Sequence, residues 1–104
     1  MAQFDVFLNP NPVTSSEFPY LLDIQNDLLD ELSTRVVVPL VDATAMGRGA
    51  QYLNPSFTIE ERKVFMSTAE LAGIPVSALG RKVSSLDNQR GKIIAALDFL
   101  ISGF

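Results

Sequence analysis

Residues Arg35 to Val41, RVVVPLV, limit what this chain can fold into more than any other stretch. Three successive valines are stiff at χ1, which disfavours a helix and suits a pleated sheet. The run is apolar throughout rather than at alternate positions, so it predicts a strand covered on both faces. Pro39 has no N–H to donate, which predicts a bulge or an edge at that point. A chain built on such a strand needs other strands to pair with it and an apolar element to cover it.

The flanking sequence offers both. Gln3 to Leu8 alternates, with Phe4, Val6 and Leu8 on one face, and reads as a strand; Tyr20 to Gln25 reads as a second. Asn9-Pro10-Asn11-Pro12 and Ser15-Ser16 mark the loop between them. Asn26 to Thr34 is ambiguous: Leu28, Leu29 and Leu32 have helical spacing, but the segment is short and lies between two strands, so it reads as a loop that leaves the burial of Leu28 and Leu29 open. Asp42 to Gln51, with Gly47 and Gly49, reads as a loop. Phe57 to Ile59 and Lys63 to Ser67 read as strands joined by Glu60-Glu61-Arg62. Ala69 to Gly73 is a connector, and Pro75 to Leu79 a short strand closed by Gly80.

The last segment is helical. Ser84 or Ser85 is the candidate cap, with Asp87 in the first turn where a negative charge suits the helix dipole. Leu86, Ile93, Ile94, Leu97, Leu100, Ile101 and Phe104 fall mostly on one face. Gly91 costs about 1 kcal/mol relative to Ala inside a helix, and Gly103 is placed to end it. The expected fold is α+β, one domain over residues 1–104, with a small barrel-like or sandwich-like antiparallel sheet.

Composition narrows the function. The chain has no His and no Cys. That removes the usual general base at neutral pH, the commonest metal ligand and any thiol chemistry. No enzyme activity, cofactor or metal is expected. The formal net charge is −4, and the eight Lys and Arg form no basic stripe, so direct binding to a phosphate backbone is not the expected task. Hydrophobic residues make up 47% of a 104-residue chain, which is rich for so small a body and suggests a homo-oligomer that buries one apolar face. No stretch nears the length of a membrane span, and the opening MAQFDVFLNP carries no basic leader; the cytoplasm is the expected location.

Leu21 to Asp30 (LLDIQNDLLD), Arg35 to Leu40 (RVVVPL), Ile74 to Gly80 (IPVSALG) and the closing Gly103-Phe104 occur in an order and spacing that resemble the CcdB family of toxins from toxin–antitoxin pairs. The resemblance runs over nearly the whole chain. It implies a homodimer with a five-stranded, SH3-like barrel sheet and a long C-terminal helix. It also implies a poison of DNA gyrase, which binds the dimerisation region of the gyrase A subunit and traps the enzyme on cut DNA. A CcdA-like antitoxin is the implied second partner. With it the toxin co-represses its operon, touching DNA only through the antitoxin or gyrase.

Carried over by position, the implied gyrase-binding residues are Asn26, Leu28 and Leu29 from the second loop, with Asp98, Ile101, Ser102, Gly103 and Phe104 from the chain end. Read without the family, Leu28 and Leu29 would be core residues of a helical turn, and Asp98 a solvated charge. The family pattern has Trp just before the C-terminal Gly, where this chain has Ser102. Trp is a leading hot-spot residue and Ser a poor one; the larger Phe104 stands where the family has Ile. The Asn9 to Ser16 and Gly47 to Gly49 loops are ordinary connections; the family offers the first as an antitoxin contact and the second as an antitoxin or target contact. Two other classes stay open: an endoribonuclease toxin of the related MazF/Kid fold, using Arg35, Arg48, Arg62, Arg81 or Arg90, and a non-toxic relic that only binds antitoxin.

Overall fold

The valine run forms the long strand that its composition demands. In the computed structural model, which describes residues 1–46 and 53–103, β3 spans Thr34–Asp42, and Val37, Val38, Leu40 and Val41 on its two faces are all buried. One edge of β3 pairs antiparallel with β2 (Tyr20–Asp23), from Tyr20 opposite Leu40 to Asp23 opposite Val37. The other edge is shared. β6 (Ala72–Pro75) lies along Thr34 to Val37, and β5 (Arg62–Met66) lies along Leu40 to Asp42. Pro39 falls where one partner gives way to the next. Its missing N–H is therefore not needed for a ladder, and its carbonyl accepts from the Ser67 N–H at 3.0 Å. The irregularity expected at Pro39 takes the form of a change of partner.

β1 (Asp5–Leu8) pairs with β2 on one side and β7 (Lys82–Ser85) on the other, where the register shifts between Val6 and Phe7. β4 (Ser56–Ile59) and β5 form a tight hairpin with Ile59 opposite Arg62. The strand order is β4-β5-β3-β2-β1-β7, with β6 beside β3, in one curled antiparallel sheet. A short helical turn, α1 (Ala43–Met46), follows β3, and α2 (Arg90–Ser102) closes the described chain. The α+β class is as expected. Among the described residues, seven strands make up the sheet in place of five.

The extra strands and the shifted boundaries share one cause. β6 is a nearly exposed ribbon, held by backbone pairing with β3, so its side chains carry no burial pattern to read. The segment expected as a strand, Pro75 to Leu79, is instead a 3-10 turn over Val76–Ala78. The connector expected at Ala69 to Gly73 begins with a 3-10 turn over Thr68–Glu70 and then enters β6. Ser84 and Ser85 lie in β7, and α2 begins only at Arg90 after a 3-10 turn at Asp87–Gln89. Ser85 Oγ accepts from the Asp87 N–H at 3.2 Å, a local bond at the 3-10 turn, and neither serine caps α2. Part of the loop expected from Asp42 is α1. Gly47, Gly49 and the rest of that loop to Gln51 lie outside the described residues.

The core sits between the curled sheet and the first half of α2. Phe4, Val6, Leu22, Val38, Leu40, Ile59, Val64 and Met66 meet Leu86, Ile93 and Ala96, with Ile94 and Leu97 at the margin. Burying one such aliphatic side chain stabilises by roughly 1.5–3 kcal/mol. Gly80 is required by close approach. A Cβ there would lie 2.7 Å from the Leu8 carbonyl oxygen, inside contact distance. Gly103 ends α2 at φ +79° and returns its N–H to the Phe99 carbonyl at 3.0 Å.

Candidate functional site

Two exposed apolar groups stand out against this core, and both lie where the sequence placed candidate residues. The first is a 3-10 turn, Asp27–Leu29, in the loop between β2 and β3. Asn26 starts it. Its side-chain oxygen accepts from the Leu28 N–H at 2.8 Å and its carbonyl accepts from the Leu29 N–H at 3.0 Å. Asp30 N–H closes onto the Asp27 carbonyl at 3.1 Å. The turn points its leucines outward. Leu28 is 91% exposed and Leu29 50%. They are not core residues of a helical turn, because no core element lies over them.

Beneath the turn is the most polar part of the interior. Arg35 is fully buried at the start of β3. Its Nε donates to Asp23 at 2.8 Å, one terminal nitrogen to Asp30 at 3.0 Å, and the other to the Gln25 carbonyl at 3.3 Å. Asp27 lies 3.9 Å from the same guanidinium. The Gln25 side chain donates to the carbonyls of Leu29, at 3.1 Å, and Thr34, at 3.2 Å, and accepts from the Val36 N–H at 3.0 Å. Gln3 adds a backbone N–H to Asp27 at 2.7 Å. Burial pushes the Asp23 carboxyl above its ordinary range; hydrogen bonds from Arg35 and the Gln25 N–H oppose the shift without cancelling it.

The second group is the C-terminal part of α2. The helix is buried at Ile93 and Ala96 and then leaves the core: Phe99 and Leu100 are each 36% exposed and Ile101 82%. Asp98, Ser102 and Gly103 are exposed. Ser102 spends its hydroxyl on its own helix, donating to the Asp98 carbonyl at 2.7 Å, so Ile101 is the projecting group at this end. Phe104, also a candidate, lies outside the described residues. Within one chain the turn and the end of α2 make no extensive contact; α2 packs against the 3-10 turn at 68–70. The candidates therefore form two patches, Asn26-Leu28-Leu29 and Asp98-Ile101-Ser102-Gly103.

Concave space lies elsewhere. A cleft of about 430 Å³ runs between the β4–β5 hairpin and the start of α2, lined by Ser56, Lys63, Ser84, Asn88 and Lys92 among others, and none of the candidates borders it. Among the described residues, no three Asp or Glu side chains converge to hold a metal ion. No helix among them is long and apolar enough to cross a membrane.

The sequence reading missed Asp23 and Gln25, and it listed Arg35 only as a cation for an RNA groove. A buried guanidinium held by carboxylates cannot line such a groove. The available signal was polar residues in an apolar frame: Asp23 and Gln25 flank Ile24 at the end of β2, and Arg35 directly precedes the valines.

A curled antiparallel sheet backed by one helix, with two apolar patches held out to solvent, defines a small α+β domain whose prominent features are surfaces. The family model described as CcdB protein matches residues 3–103. The chain belongs to the CcdB family, the toxins of toxin–antitoxin systems, and an antitoxin is its partner in kind.

Proposed function

We propose that this toxin is a non-enzymatic poison of DNA gyrase that binds the dimerisation region of the gyrase A subunit through the two patches. The observation that carries the proposal is the exposure of Leu28 and Ile101, at 91% and 82%, on elements otherwise well anchored. Large aliphatic groups held in water are costly unless a partner covers them. A dimerisation region pairs about a two-fold axis, and a homodimer of this chain would present each patch twice about a matching axis. A CcdA-like antitoxin blocks this action, and the pair represses its own operon. With a net charge of −4, the toxin leaves most DNA contacts to the antitoxin.

Burial of Arg35 counts against the ribonuclease alternative, as does the pairing of Arg62 with Asp42 at 2.6 Å, because both take cations away from any RNA groove. The test is binding of the purified chain to the gyrase A dimerisation fragment by calorimetry. Leu28→Asp and Ile101→Asp should each weaken it by at least about tenfold, or 1.4 kcal/mol. Unchanged affinity in both would contradict the proposed surface.

A further inference from the structure

Leu28 is almost wholly in water, yet the turn that carries it is fastened from below by groups that are almost wholly out of it. Gln25 and Arg35 are 6% and 0% exposed. Arg35 lies in β3, and Gln25, two residues past the end of β2, is tied to β3 by its side-chain bonds to the Thr34 carbonyl and the Val36 N–H. Both reach into the turn and hold it at different atoms: Gln25 at the Leu29 carbonyl, Arg35 at the Asp30 carboxylate. The turn's own bonds are short-range and exposed, which alone would leave a three-residue 3-10 segment loosely populated.

We infer that Gln25 and Arg35 are positioning residues of the partner surface: they fix the 26–30 turn to the sheet so that Leu28 is presented in its bound shape before the partner arrives. This rests on the reading of Leu28 as a gyrase contact. Holding a contact in its bound shape lowers the ordering that association must impose. The device is confined to one patch. Ile101 is held by the packing of α2 and owes nothing to Gln25 or Arg35, so the two patches respond differently when the fastening is cut.

The experiment uses two variants. Gln25→Met removes both amide donors at similar volume. Asp30→Ala removes the hydrogen bond between Arg35 and the turn at an exposed side chain, leaving the 3.9 Å approach of Asp27 and the buried Arg35–Asp23 pair in place, and so protects the test against a misfolded Gln25 variant. In the free proteins, amide exchange at Leu28, Leu29 and Asp30 should speed up at least about fivefold, while amides of β2 and β3 stay protected apart from Val36, whose N–H loses its acceptor in Gln25→Met. In binding to the gyrase A fragment, each variant should weaken affinity about fivefold or more. Leu28→Ala should then cost less in the variant background than in the parent, while Ile101→Ala costs the same in both. Faster exchange with parental affinity would overturn the inference, and so would additive effects of Leu28→Ala or no change in exchange. A parent chain that does not bind the fragment contradicts the gyrase reading instead, and the exchange data then decide the positioning role alone.

Discussion

At the scale of single residues, the strongest constraint is the buried pair of Arg35 and Asp23. Their side chains are 1% and 0% exposed and approach to 2.6 Å. Such a pair contributes little net stability, but breaking it leaves a charge stranded in the interior. Arg35→Met is expected to destabilise by about 3–5 kcal/mol in urea unfolding, and adding Asp23→Asn should recover part of that loss. Strictly additive losses would show that the pair is not coupled. Asp42 behaves differently. Hydrogen bonds from Thr44, then Arg62, hold its carboxyl down to about 2 from an ordinary value of 3.8. A depressed acid lends stability that is complete above its unfolded value and is lost as the pH falls through its folded one. The stability gap between the parent and Asp42→Asn should therefore shrink as the pH drops from 3.8 to about 2; a constant gap would argue against the shift. Asp23, raised by burial, works in the opposite sense: its share of stability falls as the pH rises above its ordinary range. Little of this was legible in the sequence. Asp23, Gln25 and Arg35 read as ordinary polar residues at strand ends, because spacing reveals which face a residue takes but not which partner it meets. For Leu28 and Leu29, exposed at 91% and 50%, the sequence left core and partner surface both open. Their helical spacing alone argued for burial, and the family's order of residues for a partner surface.

At the scale of elements, the strands with apolar side chains were legible and those held by backbone alone were not. β1 to β5 all lie close to their expected positions, since each carries buried residues at strand spacing. β6 and β7 show almost no fully buried side chains, and their sequences, AGIP and KVSS, give no alternation. The helix was legible over its packed part, but its start was misplaced, because Ser84 and Ser85 look like caps while serving as strand and turn. The β4–β5 hairpin offers a test. Both turn residues adopt positive φ, Glu60 at 49° and Glu61 at 68°, a geometry that favours Asn and Gly. Replacing Glu60-Glu61 with Asn-Gly should stabilise the fold by about 1–2 kcal/mol, read as a higher urea midpoint with an unchanged slope. A lower midpoint would mean that the glutamates make contacts worth more than the strain.

At the scale of the whole molecule, the apolar excess and the emergence of α2 from the core point to a second copy. Phe99 and Leu100, each 36% exposed in a single chain, leave part of their surface uncovered beside Ile101, which the proposal gives to gyrase. If two copies share this surface, thermal unfolding should depend on concentration, with a midpoint that rises as the protein is concentrated. A midpoint independent of concentration would indicate a monomer. The sheet and helix supply a stiff frame, and the two patches are its exposed ends. Ser102 is small and bonded back to its own helix, so on the proposed function Leu28 and Ile101 would carry more of the contact than a Trp at that position would leave to them. On the proposed function, this surface traps gyrase on cut DNA. The most direct measurement incubates the toxin with gyrase, ATP and supercoiled plasmid, then denatures the enzyme and looks for linear DNA, beside a toxin lacking Ser102, Gly103 and Phe104. Linear DNA with the full chain and none with the shortened one is the predicted result. No linear DNA from a folded full-length chain would contradict it and leave a protein that binds its antitoxin without poisoning gyrase.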